Sequence, residues 1–562
     1  MNSYPMILMD FLDYLETIKG RSSNTVKEYA YDINLMIKYI IARKQNIKLK
    51  SLMKGNKMNY ILGIDLGTSS LKGVVFDQDG NFIGAKSSSY DVCNPKKGYC
   101  EQNPKFWIDA FENVIEKLNR DFDLNENLIA LSFSGQMHSL VLLDEQGRVL
   151  RDAILWNDVR TIDECKYIRN KFSDKLLEIT NNIALEGFTL PKILWVKKYE
   201  AEIFEKTHHI LLPKDYLRYY LTGKYNMDYS DAAGTLLLDI ENHKWSEEII
   251  KKFGINRKLL PPLVNSTDFV GYVKKDLILK YGFKKNVRVF AGCADNCASE
   301  IGSGVIGKDD TMLLSIGTSG VILNPEKKIN RSYNGKLHFF NSIYKDTYYY
   351  MGVTLSAGQS LNWFRKSFSK KEKFEDLTKD IDKIKAGADG LIFAPYLNGE
   401  RSPYFDGNIR GSFIGLDISH TKKHLVKSIL EGITFSLRDN FEMMEKSIDS
   451  QIKNIISVGG GSKNKDWLQI QADIFNKNIM TINIEEGPGL GAAMIAALGM
   501  KYFDNIKECS DAFIKYTQII KPNKENTKIY DKLFEQYKKI YPNTKSICYN
   551  LIGICEDQNK SN

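Results

Sequence analysis

Histidine is scarce in this chain, with 7 among 562 residues, and there are only 13 prolines and 8 cysteines. No stretch approaches the roughly 18 apolar residues that would mark a transmembrane helix. The N-terminal MNSYPMILMDFLDYLE carries acids inside its apolar run and has no basic start, which argues against a secretory signal. The scattered cysteines suit reduced thiols in the cytosol. Cys293 and Cys297 form a C-x₃-C pair, but no second cysteine or histidine pair stands at zinc-like spacing. His208 and His209 have no nearby carboxylate or third ligand and are expected on the surface. There is no G-x-x-x-x-G-K-[ST] and no His-Arg-Asp loop, which excludes P-loop and protein-kinase handling of phosphate.

The remaining composition is that of a soluble protein of several domains, 43% hydrophobic and 26% charged. The net charge of +9 is unevenly spread: residues 1–57 hold 10 Lys and Arg against 5 Asp and Glu, more than half of the excess. That segment has its own character. Residues 5–18 are expected to form a short amphipathic helix, and a second starts at Thr25, where Thr25 and Glu28 make a capping box. A basic linker follows, up to 57.

After Met58 the pattern changes. Tyr60–Asp65 predicts a strand, Gly67-Thr68-Ser69-Ser70 a turn, and Leu71–Asp77 a second strand. Asp79-Gly80 turns the chain into a third, Phe82–Lys86. Asn103 and Pro104 open a helix as N-cap and first residue, and Leu128–Phe133 is again a strand. A similar sequence recurs near 315: Thr311–Ile316, then Gly317-Thr318-Ser319-Gly320, then Val321–Leu323. IDLGTSS and LSIGTSG, about 250 residues apart, predict two related domains facing each other. Ile455–Val458 runs into Gly459-Gly460-Gly461-Ser462. A late Gly487-Pro-Gly-Leu-Gly is a weak likeness to a dinucleotide loop. Tyr348-Tyr349-Tyr350 predicts strand packing.

Strand–Gly-Thr-Ser–strand loops suit phosphate, because glycine exposes backbone N–H groups and the hydroxyls add donors. Each alone is equally what a hairpin turn looks like; two of them on opposed domains can grip a triphosphate. Asp65, at the end of the first strand, has the hard oxygen chemistry that Mg²⁺ prefers. Asp295 follows an apolar strand and small residues, where a carboxylate can accept a proton from an alcohol being phosphorylated. His138, after a strand-end Gly135-Gln136-Met137 turn, is a candidate hydrogen-bond partner for a polyol.

These stretches together resemble the FGGY carbohydrate kinases, from about Met58 to about Tyr541. Gly63-Ile-Asp-Leu-Gly-Thr-Ser resembles the first phosphate motif and Ser132-Phe-Ser-Gly-Gln-Met-His the sugar-binding segment. Ile154-Leu-Trp-Asn-Asp, Leu212-Pro-Lys-Asp-Tyr-Leu-Arg, Asp228-Tyr-Ser-Asp-Ala-Ala-Gly-Thr and Asn398-Gly-Glu-Arg-Ser-Pro are similar to later stretches of the family. The resemblance implies an α/β protein of two actin-like (ribonuclease H-like) ATPase domains around a central cleft, preceded here by a small all-α extension. The expected division is 1–57 extension, 58–304 sugar-binding domain, 305–545 nucleotide-binding domain and 546–562 tail. Asp295 matches the catalytic base; Gln136, Met137 and His138 match the sugar contacts. Asp65 matches the metal-associated carboxylate. Thr68, Ser69, Gly317, Thr318 and Ser319 match the phosphate loops, and Gly460, Gly461 and Asn464 the adenosine site. The implied cofactors are ATP and Mg²⁺, and the implied acceptor is D-xylulose, giving D-xylulose 5-phosphate in the cytoplasm. Departures from the family are Cys293, Ala294 and Cys297 where glycines are usual, and Ser70 for another glycine.

Alternatives remain at this point. Gluconate kinases share the Gln-Met-His segment; the Asn-Gln-Arg-Glu expected of a glycerol kinase is missing. A non-catalytic nucleotide-binding switch on the same fold would keep the loops without a sugar site. A homodimer is open, and no membrane partner is expected. Ser22–Ile33 resembles the N-terminal helical, DNA-contacting domain of tyrosine recombinases, but no His-x-x-Arg of recombination chemistry exists in the chain. Nucleic acid is therefore not expected as the physiological partner.

Overall fold

The computed structural model describes residues 59–560, apart from 449 and 485. The helices expected within residues 1–57, with their recombinase likeness, lie outside the described residues.

The first sheet grows from β1 (Tyr60–Leu66), whose residues are buried on both faces except for Asp65. A strand that is apolar on both faces belongs in the centre of a covered sheet. β2 (Ser70–Asp77) pairs antiparallel with it, setting Asp65 opposite Lys72, and β3 (Phe82–Ser89) continues the meander. The Asp-Gly turn forms as expected: the Asp77 carboxylate accepts from the amides of Asp79 at 3.0 Å and Asn81 at 2.9 Å. α1 (Lys105–Phe122) starts one residue later than expected. Asn103 still does the capping, its Oδ1 accepting from the Lys105 amide at 2.9 Å. β4 (Leu128–Gly135) then lies parallel to β1 and sets Ser134 beside Asp65.

Two short helices, α2 (Pro213–Thr222) and α3 (Tyr229–Ala233), belong to the insertion that follows. The chain returns through β5 (Phe269–Tyr272), β6 (Arg288–Phe290) and β7 (Cys293–Ala294) into α4 (Asp295–Ser303). The sheet order is β5-β6-β4-β1-β2-β3, and β7 also pairs with β4. Between β6 and β7, Gly292 has φ +79°, and a Cβ there would come 2.2 Å from the Phe133 carbonyl oxygen. Only glycine lets the chain pass that close to β4 and pair with it again.

The second sheet uses β8 (Thr311–Ile316), β9 (Gly320–Glu326), β10 (His338–Asn341) and β11 (Tyr348–Thr354). It continues, after α5 (Gly358–Phe368) and α6 (Lys422–Glu445), with β12 (Asn454–Gly459). α7 (Lys465–Phe475), β13 (Asn478–Ile482), α8 (Pro488–Gly499) and β14 (Tyr516–Ile520) complete it. Its order is β10-β11-β9-β8-β12-β13-β14. β8 pairs antiparallel with β9 and parallel with β12, as β1 does with β2 and β4. The repeat seen in IDLGTSS and LSIGTSG is thus a repeat of topology. Tyr348, Tyr349 and Tyr350 are buried on β11. α9 (Lys524–Lys560) runs without a break through the segment expected to be a tail. Among the described residues no helix is long and apolar enough to cross a membrane.

α8 belongs to the second half of the chain but packs against β1 and α4. A Cβ on Gly63 would stand 2.0 Å from the Gly489 carbonyl oxygen, and one on Gly491 2.0 Å from that of Ala298. The Gly-Pro-Gly-Leu-Gly run serves this close approach of helix to sheet, which accounts for its weak likeness to a dinucleotide loop.

Candidate active site

Ser134, near the end of β4, is flanked by Asp65 on β1 and Cys293 on β7. Two strand spacings of about 5 Å therefore separate β1 from β7. Asp65 and Asp295, which follows β7 directly, lie on the two sides of the same strand end. The Asp295 carboxylate accepts from the Asn296 amide at 2.8 Å and from Asn296 Nδ2 at 3.1 Å. Burial pushes its pKa up to about 7, and the negative charge of Asp65 adds to the rise. Asp65 is itself raised to about 6 by burial, against the pull of Lys72. Lys72 also forms an ion pair with Glu486, in the segment leading into α8. Asp65, a half-buried carboxylate at the end of β1, has the hard oxygen chemistry that fits a divalent cation.

The Gln136-Met137-His138 segment turns off the end of β4. His138 sits at φ +67°, an uncommon conformation for a non-glycine residue. Its Nδ1 lies 2.8 Å from the Gly234 carbonyl oxygen. A carbonyl only accepts, so Nδ1 carries the proton and Nε2 presents a lone pair. Burial drives the His138 pKa down to about 3, with Lys192 and Arg401 pushing the same way, so the ring stays neutral. The ring lies against Phe188 and Phe340, with centroids at 4.7 and 5.7 Å. Phe340 comes from β10, so the second sheet supplies part of the wall. Met137 is buried, with its sulfur 3.7 Å from Asn296 Nδ2. Gln136 departs from expectation. It is only 2% exposed, and its side chain is bonded inward to Ser139 Oγ at 3.3 Å and Gln102 at 3.5 Å.

In the first Gly-Thr-Ser loop, the Gly67 amide donates to the Ser70 carbonyl at 3.0 Å and the Gly67 carbonyl accepts from the Tyr90 hydroxyl at 2.6 Å. Ser69 is exposed. The Thr68 hydroxyl accepts from Trp156 Nε1 at 2.9 Å, leaving its own O–H to give. In the second loop, the carbonyls of Gly317 and Thr318 accept from the first amides of α5, Gly358 at 2.9 Å and Gln359 at 3.0 Å. Thr318 is exposed and Ser319 partly so. Gly317, Gly460, Gly461 and Asn464 line one cleft of about 300 Å³, with Leu361, Phe374 and Trp467 among its walls. A glycine floor between apolar walls suits a flat heteroaromatic ring. Asn464 caps α7, accepting from the Trp467 amide at 2.8 Å, while its Nδ2 donates to Thr378 Oγ1 at 2.8 Å. Half of its hydrogen-bonding capacity remains for a ligand.

Sequence reasoning assigned no role to Trp156, Phe340, Asn296 or Arg401. Trp156 and Arg401 stand in stretches that carry the family resemblance, which was the available signal. The Arg401 guanidinium lies 5.9 Å from the Trp156 ring. His208 is exposed, whereas His209 is stacked on Tyr225 at 3.7 Å and only partly on the surface.

Two sheets of one topology, each with a Gly-Thr-Ser hairpin, and a carboxylate pair at the end of a central strand define a two-lobed actin-like phosphotransferase. The profile of the N-terminal domain of the FGGY family of carbohydrate kinases matches residues 60–302, and that of the C-terminal domain residues 312–500. The chain belongs to the FGGY family of carbohydrate kinases. It is 49% identical to a xylulose kinase from Lactococcus lactis over 88% of its own length and 99% of the relative's. It is 28% identical to a gluconokinase from Bacillus subtilis, over 89% and 97% of the two chains. A solved ligand-bound xylulose kinase from Lactobacillus acidophilus superimposes with a TM-score of 0.83 at 28% identity, covering 88% of this chain and 100% of that one. The matches to the family begin at Tyr60, and the recombinase likeness of residues 1–57 is not borne out. With a kinase family established, the non-catalytic switch falls away.

Proposed function

We propose that the chain transfers the γ-phosphoryl group of ATP to the C5 hydroxyl of D-xylulose, with Asp295 as the base. The observation that carries this is the position of Asp295: half-buried, next to Asn296, whose side-chain amide reaches the Met137 sulfur, and across one strand end from Asp65. The 49% identity to a xylulose kinase favours the ketopentose over gluconate, whose kinase stands at 28%.

His138 Nε2 accepts a hydrogen bond from a sugar hydroxyl and orients the acceptor. Asp295 takes the proton of the C5 hydroxyl as its oxygen bonds to the γ-phosphorus. The bond from that phosphorus to the bridging oxygen of the β-phosphate breaks, and ADP leaves. The backbone N–H groups and hydroxyls of Thr68, Ser69, Gly317, Thr318 and Ser319 hold the phosphates, while Gly460, Gly461 and Asn464 seat the adenosine. Asp65 would hold Mg²⁺, which when bound neutralises charge on the phosphates. Walls from both lobes keep water, a competing acceptor, away from the sugar site.

A coupled assay of ADP formation with D-xylulose, D-gluconate and glycerol tests this. D-xylulose is expected to give the highest kcat/KM. Asp295→Asn is expected to lower kcat by about 10²–10⁴-fold. Because the base acts only when deprotonated, kcat/KM should climb with pH and level off above about 7. A preference for gluconate, or an Asp295→Asn enzyme of normal rate, overturns the proposal.

A further inference from the structure

Two stretches singled out in the sequence, Leu212–Arg218 and Asp228–Thr235, reach the site described above through the Gly234 carbonyl that holds His138. They meet in one buried ionic cluster behind the turn that carries Asp295. Lys214, on α2, places its ammonium 2.7 Å from Asp215 and 2.9 Å from Asp231, and pairs with Asp228 as well. Arg218 lies 3.0 Å from Asp215. All five side chains are fully buried, as is Ser230. The three carboxylates have the look of a cation site, but the cation is the protein's own: Lys214 sits among them.

From this cluster two hydrogen bonds reach the β6–β7 turn. Arg218 donates to the Ala291 carbonyl, one residue before Gly292. Ser230 Oγ accepts from the Ala294 amide at 2.9 Å, one residue before Asp295. Ser230 is in turn fixed by Asp228, which accepts both its hydroxyl proton and, at 3.0 Å, its amide. We infer that this cluster is a positioning device for the catalytic carboxylate, with Ser230 as the positioning residue that links it to Asp295. The inference rests on Asp295 being the base.

Three considerations point to geometry rather than to bulk stability. A buried ion cluster is poor evidence of net stabilisation and better evidence of a specified arrangement. The cluster grips both ends of an irregular segment, where Gly292 interrupts the ladder between the pairings of β6 and β7 with β4. Burial pushes the Asp231 carboxyl well above its usual range, against the pull of Lys214. The charged neighbour that shifts Asp295 is Asp65, not a member of the cluster. Its influence on Asp295 therefore runs through the backbone.

The test is steady-state kinetics on the full chain with Ser230→Ala, Ser230→Thr and Ser230→Val. Removing the hydroxyl frees the Ala294 amide, and a displacement of about 1 Å at a reacting group costs up to about 10²-fold in rate. Ser230→Ala and Ser230→Val are expected to lose at least about tenfold in kcat while both KM values stay within about threefold. Ser230→Thr, matched to valine in volume but keeping the hydroxyl, is expected to recover the rate. Normal kcat in Ser230→Ala, or a threonine variant as slow as the valine one, overturns the proposal. In the wild type, the Ala294 amide is expected to exchange with solvent as slowly as the centre of the sheet. Fast exchange overturns the proposal even where the variants do not fold. A wild type that phosphorylates no sugar removes the base assignment itself, a different failure from an active wild type with an indifferent Ser230.

Discussion

Glu300, five residues along α4 from Asp295, is only 1% exposed, and its Oε2 accepts from the Ser342 hydroxyl at 2.5 Å. Burial pushes its pKa up to about 8, far above the roughly 4.3 of an unfolded chain. Between those values the folded state holds a proton that the unfolded state has released. The stability this contributes is complete below the unfolded value and is lost as pH rises through about 8. Denaturation between pH 6 and 9 should therefore show a shallower decline for Glu300→Gln than for the wild type, by at most about 1.4 kcal/mol per pH unit. Parallel curves would rule this out. Glu400 and Glu431, each raised to about 7 by burial, titrate in the same sense, so the slope is reduced rather than abolished. Little of this was legible in the sequence. A glutamate reads the same whether buried or exposed, and the tautomer of His138 depends on a carbonyl 96 residues away. The inward turn of Gln136 was hidden for the same reason.

At the level of elements, local pattern carried further. The strands at Tyr60 and Thr311, the Gly-Thr-Ser turns and the Asp-Gly hairpin follow from short apolar runs and turn chemistry within a few residues. The use of α8 did not. Its glycines and alanines predict a helix of small residues, but not that β1 and α4 lie against it. Gly491→Ala would place a Cβ 2.0 Å from the Ala298 carbonyl oxygen, a backbone atom that cannot rotate away. Chemical denaturation should show a loss of at least about 1–3 kcal/mol, the usual cost of overpacking. An unchanged midpoint would mean that helix and sheet separate more easily than these contacts imply.

At the scale of the whole molecule, the family match starts at Tyr60 and every candidate site residue follows it. A chain started at Met58 is therefore expected to keep kcat/KM for the sugar within about twofold, a difference well under 1 kcal/mol in barrier. A tenfold fall in the same coupled assay would give residues 1–57 a part in catalysis. The amino-acid sequence by itself determined the duplicated strand–Gly-Thr-Ser–strand units, the family, and the identity of the base, sugar and phosphate candidates. These depend on residue types and short spacings, which neighbours along the chain encode. Only the tertiary structure decided that Asp65 and Asp295 flank the end of β4, that Phe340 lies against His138 and that Ser230 holds the Ala294 amide. Those contacts join residues 64 to more than 200 apart in the chain. They exist because glycine-lined helix packing and one buried ionic cluster bring distant segments together, and no local pattern records which segments will meet.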